Sequence, residues 1–374
     1  MRPHLTTGPS CPPSIVDSEV PPLSRPPVLA LDLGGTLIRA AVVLSDGSRV
    51  ARTETETPIE DGPAAIVRAC REAVAEARRT APAALADAII GIGISSPGPV
   101  DPMRGIIVEP PNLGPTFRNV MLAADLAKAE GLPAFLERDT NLAALGERAF
   151  GAARGEDDFL YITVSTGVGG AIVTNGRLLH GPDGLAGELG HVPVSMDGPR
   201  CGCGGIGHVE AYASGTALAR EARALVASEG SPFLADRVRR TGGVNSLSAK
   251  DVAEGALAGD KACVELMQRA RRALATACVG YVNAFNPHRI VIGGSIAEAE
   301  GDRMLGPVRD AIARESFEAM AKKVRVVPAA LGGDVSLAGA YPLVTSRLED
   351  AASVPVTTAT HPRPDSPAVT TARR

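Results

Sequence analysis

Aromatic side chains are scarce in this chain, and tryptophan is absent: Phe and Tyr together make up 3% of the 374 residues. Because single-stranded nucleic acids are commonly held by stacking of bases on aromatic rings, this scarcity argues against that mode of binding. The formal net charge of −4 also gives no basic footprint for DNA, RNA or an anionic membrane. Hydrophobic residues still make up 45% of the chain, so we expect buried cores of aliphatic side chains.

Long apolar runs are also missing. No run approaches the ~20 residues that a membrane span needs, and residues 1–27 contain no continuous apolar stretch typical of a secretory signal. Four of the six cysteines are scattered, which favours reduced thiols in a cytosol over a disulfide framework. We therefore expect a cytoplasmic protein with neither a membrane nor a nucleic-acid partner.

The length of the chain suggests two domains that share a cleft. Residues 1–26 and 347–374 are rich in Pro, Ser and Thr, which predicts a disordered leader and a disordered tail. The body between them divides into an N-terminal lobe, 27–135, and a C-terminal lobe, 136–346. We expect the last segment of the second lobe to be able to pack on the first.

Strand-like apolar runs alternate with helical patterns along the body. A strand, a glycine loop, a resumed strand and a turn occur in this order at residues 28–47 and again at 159–176. This repeat predicts an α/β fold with duplicated mixed sheets flanked by helices. The predicted strands cover residues 28–33, 39–44, 88–95, 134–137, 159–164, 171–173 and 289–292, and the main predicted helices cover 62–80, 140–150, 210–229 and 261–285.

The two glycine loops hold corresponding positions in the two halves. Glycines let backbone N–H groups point at a polyphosphate, because they lack Cβ and tolerate positive φ. Either loop alone is also typical of an ordinary hairpin, but two of them can approach one nucleotide from opposite sides. A third pair, Gly293-Gly294, fits either a flat surface for adenosine or a strand-to-helix turn. The loop residues are Asp32, Gly34, Gly35 and Thr36 in the first half and Ser165, Thr166, Gly167, Gly169 and Gly170 in the second.

Two aspartates follow predicted strands. Asp32 is placed to hold Mg²⁺ through water, because this cation prefers one or two carboxylates. Asp139 lies between a short strand and a helix in the run E-R-D-T-N. From spacing alone, the simpler interpretation is a cap on that helix. The other interpretation is a general base, which phosphoryl transfer to a hydroxyl requires within hydrogen-bond reach.

A compact group of soft and borderline metal ligands follows the second loop. Cys201 and Cys203 are separated by one residue, His208 follows five positions later, and His191 lies shortly before them. The four would complete a tetrahedral Zn²⁺ site with a structural role. The alternative is two free thiols and two surface histidines.

Together these motifs resemble the ROK family (repressors, open reading frames and kinases) of the actin/hexokinase-like ATPase superfamily. The resemblance covers about residues 27–346. It rests on 32–39, which follow D-x-G-G-T-x-x-R, on 165–172, on 293–295 and on the region around His191. It implies a two-lobed actin/hexokinase-like (ribonuclease-H-like) fold, ATP with Mg²⁺, a hexose or N-acetylhexosamine substrate, structural Zn²⁺ and a homodimer.

The resemblance also implies roles for individual residues. Asp139 matches the family's general base, but Arg138 replaces the Asn that precedes it in the family and touches the sugar. An Arg beside the base favours the ionised form, which predicts lower basicity. His208 likewise replaces the family's last Cys ligand. The positions matching the sugar site are Gly98, Asn112, Arg138, Asp139, Glu188, His191 and Glu210.

Plainer interpretations remain for two of these positions, since Glu210 also suits a first-turn helix acid and Asn112 a turn residue. The predicted function is a glucokinase-like, ATP-dependent phosphorylation of a hexose. A sugar-binding protein with a regulatory role is the alternative. A DNA-binding repressor is disfavoured, because the Pro-broken segment before the first loop is too short for three helices. The sequence does not select the sugar, nor ATP over polyphosphate.

Overall fold

The computed structural model describes residues 25–353, so most of the predicted leader and tail lies outside the described residues. Two five-stranded mixed sheets dominate this region, in the orders β3-β2-β1-β4-β7 and β10-β9-β8-β11-β12. The strands are β1 (Val28–Leu33), β2 (Leu37–Val43), β3 (Arg49–Glu56), β4 (Ile92–Ser96), β5 (Val100–Asp101), β6 (Ile106–Ile107), β7 (Ala134–Arg138), β8 (Phe159–Val164), β9 (Val168–Thr174), β10 (Arg177–Leu178), β11 (Arg289–Gly293) and β12 (Arg325–Pro328).

The two sheets repeat one topology. In each, the leading strand pairs antiparallel with the strand that follows its glycine loop, and parallel with the next strand in the sheet. The predicted duplication and the α/β class are therefore confirmed. The helices are α1 (Pro63–Thr80), α2 (Ala83–Ala86), α3 (Leu122–Glu130), α4 (Asp139–Phe150), α5 (Glu210–Ala213), α6 (Gly215–Ala227), α7 (Pro232–Thr241), α8 (Ala249–Leu257), α9 (Lys261–Phe285), α10 (Ser295–Glu300), α11 (Asp302–Glu315), α12 (Glu318–Ala321) and α13 (Val335–Ser353).

Alternating side chains of β1 fill two different cores. Leu29, Leu31 and Leu33 pack towards α1 and α3, whereas Val28 and Ala30 pack towards α4 and α13. Strand geometry requires this, since successive side chains point to opposite faces of a sheet. The second sheet divides its core in the same way between α9 with α11 on one face and α4 with α13 on the other.

Helices α4 and α13 therefore form a shared central layer. A Cβ on Gly339 would lie 1.9 Å from the carbonyl oxygen of Leu142, and one on Gly146 would lie 2.7 Å from that of Val335. Glycine at these two positions lets the helices approach to backbone contact. This close packing fixes the N-terminus of α4, where Asp139 lies, between the two sheets.

Three predicted boundaries differ clearly from the structure, and others, such as those of β2 and β9, are shifted by three residues or fewer. The single helix expected over 210–229 is two helices, because the Ser214 hydroxyl accepts the Ala217 N–H and starts α6 afresh. Strand β4 begins at Ile92 rather than at residue 88. The tail predicted from residue 347 is wrong over 347–353, which continue α13, and Leu348 packs against the core there. Within the described ranges, no helix has the length and apolarity to cross a membrane.

Candidate functional site

A cavity of about 780 Å³ opens between the two sheets, and parts of both glycine loops line it. Seven of the predicted site residues do not line it: Gly35, Thr36, Arg138, Gly170, Gly293 and the metal ligands Cys203 and His208. The predicted site residues that do line it are Asp32, Gly34, Gly98, Asn112, Asp139, Ser165, Thr166, Gly167, Gly169, Glu188, His191, Cys201, Glu210 and Gly294.

The first glycine loop is held by its own lobe. The Gly34 N–H donates to the Leu37 carbonyl at 2.9 Å, and the Thr57 hydroxyl donates to the Gly34 carbonyl at 2.8 Å. Asp32 is buried at the end of β1, where one of its carboxylate oxygens is paired with the Arg39 guanidinium. Among the described residues the other oxygen has no ion-pair partner, which fits contact with Mg²⁺ through water.

The second glycine loop is fastened to helices outside its sheet. The Glu210 carboxylate accepts the Val168 N–H at 3.0 Å, and the Gly215 N–H donates to the Ser165 carbonyl at 2.8 Å. The Thr216 hydroxyl donates to the carbonyl of Thr166 at 2.9 Å. These bonds connect the loop to the start of α5 and the first turn of α6.

Asp139 is the first residue of α4 and faces the cavity. Its Oδ1 accepts the Thr140 N–H at 2.7 Å. Burial raises the pKa of Asp139 to about 6, since desolvation outweighs the lowering effect of the Thr140 N–H, and the Asp32 and Glu188 carboxylates raise the pKa further. Arg138 lowers the pKa of Asp139, as its position beside the carboxyl predicts, but desolvation is the largest effect, so the pKa is raised overall. A carboxyl with this pKa is suited to accept a proton near neutral pH.

Arg138, predicted as a sugar contact, lies behind the cavity wall. Its side chain is 7% exposed and forms an ion pair with Glu188, whose own side chain is 48% exposed. The guanidinium also donates to the carbonyl oxygens of Ala186 at 2.9 Å and Gly170 at 3.0 Å. Arg138 ends β7 and Asp139 begins α4, and the described hydrogen bonds of the guanidinium go to Glu188, Ala186, Gly170 and Asn141.

Three polar side chains gather on the cavity wall: Glu188, His191 and Glu210. His191 lies between two carboxylates, with Nε2 3.9 Å from Glu188 and Nδ1 4.0 Å from Glu210. Glu210 is the first residue of α5, as its helix-acid interpretation requires, but it also binds the second glycine loop. Carboxylates on a cavity wall are natural acceptors for the hydroxyls of a sugar.

The four predicted metal ligands come together beside this wall. One ligand atom from each of His191, Cys201, Cys203 and His208 lies within 4.8 Å of the others. Cys203 Sγ is 3.2 Å from His208 Nδ1, and Cys201 Sγ is 3.6 Å from His191 Nδ1. A tetrahedral Zn²⁺ with bonds of about 2.0–2.3 Å spaces its ligands by roughly 3.3–3.8 Å. The donor set and the spacing both fit this cation.

His180 has a partner that lies far from it along the chain. Its Nε2 lies 2.7 Å from Oε2 of Glu137, whose side chain is 1% exposed. Burial raises the pKa of Glu137, yet the hydrogen bond and charge of His180 and the Asn141 amide hold it below its ordinary value. The two residues are 43 positions apart, so no local pattern connects them.

Comparison with known proteins agrees with this geometry. The profile of the ROK family matches residues 28–347. The glucokinase of Thermotoga maritima is 35% identical, covering 86% of this chain and 98% of that protein. The structure of a ROK hexokinase from Thermus thermophilus is 34% identical, with a TM-score of 0.71 over 87% of this chain and 99% of that one. A ROK glucokinase from Streptomyces griseus, solved with glucose and AMPPNP, is 32% identical, with a TM-score of 0.71 over 86% of this chain and 99% of that one. The chain belongs to the ROK family.

Proposed function

We propose that this protein transfers the γ-phosphoryl group of ATP to a hydroxyl of a hexose, and that the hexose is glucose. The observation that carries the proposal is the single cavity shared by both glycine loops, the Asp139 carboxyl and the polar wall of Glu188 and His191. The glucokinases that this chain resembles support ATP as donor and glucose as acceptor.

Asp139 is the proposed general base. It accepts the proton of the sugar hydroxyl as that oxygen attacks the γ-phosphorus and the bond to the β-phosphate oxygen breaks, which leaves ADP. Backbone N–H groups of the two loops stabilise the negative charge that spreads over the transferred group. Asp32 is the residue suited to hold Mg²⁺, which supplies charge neutralisation to the phosphates when bound.

We also propose that His191, Cys201, Cys203 and His208 bind one structural Zn²⁺. The metal would pin the loop that carries His191, so that its ring stays on the cavity wall between the two glutamates. A homodimer, implied by the family resemblance, and a cytoplasmic location remain predictions from the sequence.

The proposed function is tested by a coupled ADP-release assay with glucose, N-acetylmannosamine, N-acetylglucosamine, fructose and allose. We expect the highest kcat/KM with glucose and ATP. If glucose binds but no sugar of the panel releases ADP, the regulatory sugar-binding alternative is supported. Release of ADP with another sugar alone would keep the kinase and reject glucose.

A further inference from the structure

The guanidinium of Arg138 is a buried junction beneath the polar wall of the cavity. Its Nη1 pairs with Glu188, and its Nη2 donates to the carbonyls of Ala186 and Gly170 and lies 3.3 Å from the amide oxygen of Asn141. Gly170 belongs to β9, which follows the second glycine loop, and Asn141 belongs to α4. Arg138 therefore links the loop that carries Glu188 to β9 and to α4, the helix that begins at Asp139.

The same loop is held at its other end by the neighbouring residue of β7. Glu137 accepts from the Asn141 amide at 2.8 Å through one oxygen and pairs with His180 through the other. The Ala186 N–H closes the loop by donating to the His180 carbonyl at 3.0 Å. Two consecutive residues therefore hold the start and the end of the segment 180–188.

The contact with Arg138 matters because the Glu188 side chain is about half exposed, whereas the Arg138 side chain is almost fully buried. A half-exposed Glu samples several rotamers, and ordering it on binding a sugar costs conformational entropy. The ion pair with a nearly fully buried guanidinium fixes one carboxylate oxygen in advance. It also offsets the repulsion that Glu188 exerts on Asp139 across the cavity, which is visible as a raising effect on the Asp139 pKa.

We infer that Arg138 is a positioning residue for sugar binding, and that it acts through Glu188 rather than by touching the sugar. This inference rests on the proposed function, and it concerns a position where the family resemblance implies Asn. An Asn side chain is too short to make the same set of contacts. The orientation of Glu188 in this protein therefore depends on its ion pair with Arg138, which an Asn at that position could not form.

The test is a double-mutant cycle with Arg138→Met and Glu188→Gln, read by kinetics and by calorimetric titration with glucose. Arg138→Met should raise both the KM and the Kd for glucose by about 10–100-fold, because charge-assisted bonds that order the carboxylate are lost. The KM for ATP should stay within about threefold of the wild type. The double variant should be no weaker than the worse single variant by more than about twofold, since both changes remove one interaction.

Arg148→Met is the matched control. Arg148 forms a surface ion pair with Asp157 at 2.6 Å, and its loss should leave both KM values unchanged. If the fold-changes of Arg138→Met and Glu188→Gln multiply in the double variant, the inference is overturned. Equal rises in the KM for glucose and the KM for ATP in Arg138→Met would overturn it as well. If Arg138→Met does not fold, Glu188→Gln decides alone, and an unchanged Kd for glucose then overturns it. Failure of the proposed function looks different, because the wild type itself would release no ADP with glucose.

Discussion

The two glycine hairpins have the same chemistry in the sequence, but they are held in different ways. The turn of the first hairpin is held by Leu37 and Thr57, and its aspartate is paired with Arg39, which also donates to the Gly333 carbonyl at 2.7 Å. The second has no carboxylate of its own and is bonded to Glu210 and to the start of α6. Glu210 in turn accepts from the Cys201 thiol at 3.4 Å, so the second hairpin is continuous with the metal-ligand cluster.

The neighbours that an added Cβ would meet also differ between a glycine of the first hairpin and one of the second. A Cβ on Gly34 would lie 3.0 Å from a carbonyl of its own turn, whereas one on Gly169 would lie 2.8 Å from the side chain of Thr140, beside Asp139. The second hairpin is therefore part of the rigid framework of the site. In the proposed function the first would meet the nucleotide from the other lobe, so duplicated motifs need not contribute equally to the proposed catalysis.

The largest expected effect comes from the residue between the hairpins. Asp139→Asn should lower kcat by about 10²–10⁴-fold, because the proton acceptor is lost, while the Kd for glucose changes little. The thermal midpoint should not fall, since a carboxyl whose pKa folding raises destabilises the folded state above that pKa. Asp236→Asn, on an exposed helix face, is the control, and wild-type turnover of the Asp139 variant would reject its role.

Alanine at one glycine of each hairpin compares the two hairpins. Gly169→Ala should lower kcat by about 10–100-fold, because its methyl group displaces Thr140 and with it the N–H that orients Asp139. Gly34→Ala should cost about tenfold less, since only its own turn has to yield. Gly306→Ala, where a Cβ meets nothing within 4 Å, should leave activity unchanged. Equal losses of kcat in Gly34→Ala and Gly169→Ala would contradict the expected difference between the hairpins.

Removal of the metal should affect the part of the cavity wall that lies beside the second hairpin. Elemental analysis should find about one Zn²⁺ per chain in the wild type and less in Cys203→Ser. Loss of the metal should raise the KM for glucose by about tenfold, because His191 loses its anchor on the cavity wall. Restored KM on adding Zn²⁺ back is the control. If wild-type protein contains no zinc, the proposed structural Zn²⁺ site is rejected.

The smallest effect is a shift in the pH profile. The base works when ionised, so kcat/KM should fall as the pH drops through about 6, the raised pKa of Asp139. An ordinary aspartate would remain active down to about pH 4. Activity that stays constant between pH 7 and pH 5 would show that this carboxyl is not the group that limits the rate.

Local features were predictable from the sequence. The hairpins, the metal ligands and the Asp139 junction are each contiguous or nearly so, and β1, β8 and α9 have the predicted bounds. Contacts between distant residues were not predictable. Arg138 and Glu188 are 50 positions apart, and reasoning from adjacency alone paired Arg138 with Asp139 instead. The contacts of the guanidinium join it to Glu188 only after folding, and the burial that sets the Asp139 pKa likewise exists only after the lobes pack.

The most direct test of the account is a crystal structure of the protein with glucose and a non-hydrolysable ATP analogue. We expect the γ-phosphate between the two hairpins, with one glucose hydroxyl within about 3.2 Å of the Asp139 carboxylate. A nucleotide bound by only one hairpin, or a sugar whose hydroxyls all lie beyond hydrogen-bond reach of Asp139, would contradict it.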